Sequence, residues 1–167
     1  MNRELILLRH GKSDWSRDLA DFDRPLKERG FNESTKIGLW LRENSLVPDS
    51  VLSSPAKRAK QTALQVCEAV GFPQENIIWQ EDIYMANVRD LINVIGRITP
   101  SAHRLMLVGH NPGLEDLLFY LCKAPEILED KVLPTATLAR VLFESEWVKL
   151  ASQSCQLKEI IRGRKLG

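Results

Sequence analysis

Two apolar runs a hundred residues apart constrain this chain most: Leu5-Ile6-Leu7-Leu8 and Leu105-Met106-Leu107-Val108. Runs this short suit strands and are too short for helices. The lack of polar alternation means that both faces of each strand are covered. Strands of that kind belong to parallel or mostly parallel sheets with helices on both sides. The rest of the sequence supports such an α/β reading, because strand and helix patterns alternate along it. Strands are expected at residues 3–9, 50–53, 77–79, 104–109, 135–143 and 156–161. Helices are expected from Pro25 to about Asn44, from Pro55 with Ser54 as N-cap to about Val70, from Val88 to Ile98 and from Pro112 to Cys122. Gly30 and Gly38 weaken the first of these helices, and Lys27 is a poor cap for it. Gly71 and Pro73 stop the second.

A length of 167 residues, 44% of them hydrophobic, fits one domain over residues 1–167. The net charge of +1 argues against a nucleic-acid or acidic-membrane surface. No apolar run approaches the ~18 residues of a membrane span, and Leu5–Leu8 is too short for the core of a signal peptide. Cys67, Cys122 and Cys155 form no C-x-x-C, so neither a disulfide framework nor a zinc site is expected, and a cytoplasmic location is the simplest. Cys67 and Cys122 lie on apolar helical faces and read as small core residues. No cofactor is implied.

Ligands of such sheets bind beyond the carboxyl ends of the strands. Those ends carry related chemistry here. The first strand runs into Arg9-His10-Gly11, the second into Ser53-Ser54 with Arg58 shortly after, the third into Glu81-Asp82, and the fourth into Gly109-His110-Asn111-Pro112. Two guanidiniums can grip a phosphoryl group through paired hydrogen bonds, and the N–H groups opening each following helix attract anions. A phosphate pocket follows. Gly11-Lys12-Ser13 is not a nucleotide P-loop, because Ile6 stands where that motif needs glycine. A lone histidine at a strand end is usually structural. Two of them, each beside a glycine and matched by Arg9 and Arg58, are not explained that way. His103 lacks such company and reads as a solvated side chain. Arg24 can pair with Asp21 or Asp23, Trp15 can sit on the pocket rim or in solvent, and Lys57 and Lys60 read as a solvated helix face.

Leu8-Arg9-His10-Gly11 resembles the signature of the histidine phosphatase superfamily, which includes the phosphoglycerate mutases. Asp23-Arg24-Pro25-Leu26 with Gly30, then Ser53-Ser54-Pro55 with Arg58-Ala59-Lys60-Gln61-Thr62, then Val108-Gly109-His110-Asn111-Pro112 resemble its further blocks in the same order. The triplet Arg-His-Gly alone is weak, whereas four ordered blocks are specific. The short length and the form Arg-His-Gly-Lys-Ser-Asp-Trp are most similar to the SixA group of phosphohistidine phosphatases.

The resemblance implies a phosphoglycerate mutase-like fold and a phosphatase in which His10 takes the phosphoryl group. Arg9, Arg58, His110 and Asn111 would hold its oxygens, and water would release it. Ser16 stands where ester-cleaving members often place an asparagine on phosphate. Their proton-donating carboxylate corresponds best to Glu81, with Asp82 adjacent. The substrate class is a phosphorylated protein carrying phosphohistidine, or a small phosphorylated molecule. A nucleophilic histidine must be neutral. One cation at ~6 Å and an effective dielectric of ~20 contributes roughly 3 kcal/mol, or about two pKa units, toward that form. Two alternatives of other classes are a non-catalytic phosphoprotein-binding module, which would not need His10, and a metallohydrolase. The arginines would repel a metal cation, and no H-x-x-x-H or H-E-x-x-H spacing exists.

Overall fold

A computed structural model describes residues 2–123 and 132–167. In chain order its main elements are β1 (Arg3–Arg9), α1 (Glu28–Glu43), β2 (Ser50–Ser53), α2 (Lys57–Val70), β3 (Ile78–Trp79), α3 (Val88–Gly96), β4 (Arg104–Gly109), α4 (Gly113–Leu121), β5 (Thr137–Phe143) and β6 (Gln156–Arg162). The strands form one sheet in the order β3-β2-β4-β1-β5-β6. The pairs from β3 to β1 are parallel, and β5 and β6 join antiparallel. The architecture is therefore α/β with a mostly parallel sheet, as the apolar runs require.

Side chains alternate across a strand, and β1 and β4 feed two separate cores. Leu5, Leu7, Leu105 and Leu107 face one side and pack with Leu91 and Ile95 of α3 and Leu114, Leu117 and Leu118 of α4. Ile6, Leu8, Met106 and Val108 face the other and pack with Ile37 and Leu41 of α1 and Ala59, Ala63 and Val66 of α2. The four β1 side chains of the run are fully buried. Burying a large apolar side chain contributes about 1.5–3 kcal/mol, so these two strands anchor both layers. Among the described residues, no helix is long and apolar enough to cross a membrane.

The two glycines within α1 allow close packing. A Cβ at Gly38 would lie 2.6 Å from both Ala69 Cβ and Val66 O of α2. One at Gly30 would lie 2.4 Å from the Lys12 carbonyl oxygen. Gly30 thus lets α1 approach the loop that follows His10.

Several element ends depart from expectation. α1 begins at Glu28 rather than Pro25, because Leu26 is engaged in extended backbone: it bridges Ser13, and its N–H donates to Gln61 Oε1 at 2.8 Å. Lys27 is the N-cap of α1 and gives no side-chain cap bond. α2 begins at Lys57 with Ala56 as N-cap. The Ser54 hydroxyl accepts the Ala56 N–H at 3.2 Å in the turn before the helix instead of capping it. α3 ends at Gly96, two residues early, and opens with a capping box between Asn87 and Asp90. Cys67 and Cys122 are buried, as expected of small core residues.

Candidate active site

The register of β1 against β4 pairs Arg9 with Gly109. The next residues therefore emerge from the same edge, and the His10 and His110 rings lie 5.2 Å apart between centroids. β2, on the other side of β4, delivers Ser54, and the first turn of α2 delivers Arg58, which is buried. The structure thus brings Arg9, His10, Arg58, His110 and Asn111 to one sheet edge.

The loop after β1 is held in place by backbone and by α2. The His10 N–H donates to Gly109 O at 3.1 Å, and the Ala136 N–H donates to His10 O at 3.0 Å. The Gly11 N–H donates to Thr62 Oγ1 at 2.9 Å, and that hydroxyl donates to Arg58 O at 2.7 Å. His10 is only 7% exposed. Its Nδ1 lies 2.7 Å from Gly11 O. A carbonyl can only accept, so Nδ1 carries the proton and Nε2 keeps a free lone pair. Arg58 Nε–H meets that lone pair in a long 3.4 Å contact.

Burial lowers the His10 pKa to about 3, with His110, Arg58 and Arg9 adding smaller contributions in the same direction. The neutral imidazole that sequence reasoning assigned to neighbouring cations is thus first a consequence of desolvation. His110 is likewise held down, to about 4, by burial and then by Arg58. Its Nε2 lies 2.8 Å from Ser54 Oγ. The Ser54 hydroxyl already accepts from Ala56 and has its own proton to give. In that arrangement His110 Nδ1 bears the ring proton, and Nδ1 is buried without a partner among the described residues. Arg9 Nη1 and Asn111 Nδ2 both donate to Leu133 O, at 3.1 and 2.9 Å. Arg9 Nε is a further buried donor without a partner among the described residues. Unsatisfied buried donors are costly, and an anion bound at this edge would offer them an acceptor.

A cleft of ≈ 480 Å³ opens over this edge, lined by Arg58, His110, Asn111, Asp21, Tyr84 and Asp116 together with Met85, Ala86 and Pro112. His10 and Arg9 are not part of that lining, and His10 touches it through Arg58 and the His110 ring. Asp21 was not singled out as a site residue by sequence, except as a partner for Arg24. Its carboxylate accepts from Arg58 Nη2 at 3.0 Å, Tyr84 OH at 2.6 Å and Arg24 Nη2, and its backbone oxygen accepts from Arg58 Nη1 at 2.7 Å. These bonds hold the Asp21 pKa down at about 2, the Tyr84 hydroxyl first and Arg58 next among them. Asp21 sits on a short loop turn in an Asp- and Arg-rich stretch, where no periodicity distinguishes one carboxylate from the next. Tyr84 follows Glu81 by three residues, and no spacing rule pointed to it.

Other expected residues lie elsewhere. Glu81 is exposed, at the start of a 3-10 turn, and does not line the cleft. Asp82 pairs with Arg97 at 3.0 Å. Ser16 is exposed and outside the lining, its N–H donating to Asp14 Oδ1 at 2.9 Å. Trp15 is 71% exposed and stacks on the Arg24 guanidinium, 3.5 Å from its ring centre.

The chain resembles known proteins in sequence and in fold. Residues 5–82 match the histidine phosphatase superfamily (branch 1). An uncharacterized protein of Mycobacterium tuberculosis is 32% identical over 147 residues, covering 84% of this chain and 89% of its own. A protein of Agrobacterium tumefaciens, described as a candidate phosphohistidine phosphatase SixA, has a similar structure with TM-score 0.77 and 29% identity, covering 95% of this chain and 97% of its own. The protein histidine phosphatase SixA complexed with tungstate superposes with TM-score 0.80 at 20% identity, covering 96% of this chain and 97% of its own.

Proposed function

From the premise that this chain belongs to the histidine phosphatase superfamily, we propose that it is a phosphatase that removes the phosphoryl group from phosphohistidine on a protein through a phospho-His10 intermediate. The observation that carries this reading is the state of the carboxylates around the cleft. Expelling an alkoxide from a phosphate ester calls for a proton donor. Asp21, the carboxylate against Arg58, is held ionised near neutral pH with a pKa of about 2. Asp116 is an exposed side chain on the first turn of α4, and Glu81 lies outside the lining. Imidazole leaves phosphorus with less help than an alkoxide does.

In this reading His10 Nε2 attacks phosphorus. Arg58, Arg9 and the His110 Nδ1–H bind the phosphoryl oxygens, which carry about −1.5 to −2 charge. The bond to phosphorus makes the His10 ring cationic, and the Gly11 carbonyl on Nδ1–H supports that charge. Water then attacks phosphorus and the ring departs as neutral imidazole, still protonated at Nδ1, so His10 returns ready for the next cycle. Asn111 and Ser16 belong to the same proposal as phosphate contacts. Asn111 is already at the edge, whereas Ser16 would require movement of the loop after β1.

A second reading, a phosphatase for a small phosphate ester, draws on the cleft itself, whose ≈ 480 Å³ suits a small molecule. One assay separates the two. Wild type and His10→Ala are given a phosphohistidine-labelled protein and a panel of esters side by side. Release from phosphohistidine, acid-labile phosphate trapped on wild type, and neither in His10→Ala are expected. Turnover confined to esters would overturn the first reading, and a fully active His10→Ala would overturn both.

A further inference from the structure

The transfer steps above leave two carboxylates of the cleft without a task, Asp21 and Asp116, and of these Asp21 bonds directly to Arg58. Asp21 lines the cleft with Arg58, Tyr84 and His110. Three donors hold its carboxylate, yet its side chain keeps 49% of its surface open. Every described group against it is cationic or a neutral ring: Arg58 from α2, Arg24 from its own loop, Tyr84 from the segment after β3, and His110 from the loop after β4. We infer that Asp21 determines leaving-group specificity, favouring substrates whose leaving group carries a positive charge, as the protonated ring of phosphohistidine does. This rests on the phosphatase reading above and names the ionic form of the substrate that the site selects.

The charges support it. Arg24 and Arg58 both donate to the Asp21 carboxylate. Without that carboxylate, their two positive charges would repel an imidazolium entering beside them, and Asp21 offsets that repulsion. The atoms balance as well. Phosphohistidine protonated on its free ring nitrogen accepts attack by His10 Nε2 at phosphorus. The P–N bond breaks, its electron pair stays on the substrate nitrogen, and the ring leaves as neutral imidazole that keeps its N–H. No proton moves in this step. The unprotonated substrate would have to leave as imidazolate, a far poorer leaving group. A carboxylate that favours the imidazolium therefore does for a phosphoramidate what a proton donor does for an ester.

The test compares Asp21→Asn with wild type on a phosphohistidine peptide and on p-nitrophenyl phosphate, and records kcat against pH, since that profile reports groups in the bound complex. The variant should lose about tenfold or more on phosphohistidine relative to the ester, and the alkaline limb of its phosphohistidine kcat profile should move about one unit lower. Asp21→Glu should recover the wild-type ratio. Equal losses on both substrates with an unmoved limb would overturn the inference and leave Asp21 as a clamp for Arg58 only. If wild type itself fails to release phosphate from phosphohistidine, the functional reading falls first, a result visible before any variant is compared.

Discussion

Burying two neutral histidines should make the stability of this protein depend on pH in a way that one substitution halves. His10 and His110 have folded pKa values of about 3 and about 4, against about 6.5 in an unfolded chain. Between those limits the unfolded state binds more protons, so unfolding becomes easier as pH falls through 6.5. The stabilising neutral state is complete above that value and is lost as the pH drops toward the folded pKa values. At pH 5 the imbalance amounts to about 2 kcal/mol for each histidine relative to pH 7.5, or about 4 kcal/mol together. Asp21 acts in the opposite chemical sense and in another window. Its folded pKa of about 2 adds stability that is lost only below about pH 4, outside this comparison. Urea unfolding of wild type and His10→Gln at pH 7.5 and pH 5 measures the effect. The variant should lose about 2 kcal/mol over that interval where wild type loses about 4. A variant with the wild-type pH dependence would show that His10 is not held neutral by its surroundings, and the account of the nucleophile would fail with it.

Two further outcomes follow from placement alone. Gly30→Ala forces a Cβ to 2.4 Å from the Lys12 carbonyl, so it should destabilise the fold by about 1–3 kcal/mol and reduce phosphatase turnover by displacing the loop after His10, measurable as a lower urea midpoint together with a lower kcat. Glu81→Gln removes an exposed carboxylate outside the cleft and should leave turnover of phosphohistidine and ester substrates within twofold of wild type; a tenfold loss on esters alone would restore Glu81 as a proton donor.

The layered fold was legible because it is written in burial. The runs Leu5–Leu8 and Leu105–Val108 have to be covered on both faces, and they are, by different helices. Helix starts were less legible, since Pro25 and Ser54 carry start signals that tertiary bonds override: Leu26 is drawn to Ser13 and Gln61, and Ser54 to His110. At the site, residues next to strand ends were readable because the sheet fixes where they emerge. Asp21 and Tyr84 were not, because irregular loops carry them to the cleft and their value lies in contacts with Arg58 and with each other. The cause of the neutral histidine was also hidden. Charge can be counted along a sequence, but desolvation depends on how deeply the ring is enclosed.

The pairing of Arg9 with Gly109 has a consequence beyond placing two rings. The spacing of His10 and His110 is measured out by backbone hydrogen bonds, not by the side chains that perform the chemistry. A slip of one residue between these strands would turn one ring to the opposite side of the sheet and send the four apolar side chains of the slipped run to the wrong layers. The core therefore polices the alignment, and the reacting groups are free to change without disturbing it. A scaffold whose ruler is independent of its tools can exchange one phosphate chemistry for another by substituting residues at the edge.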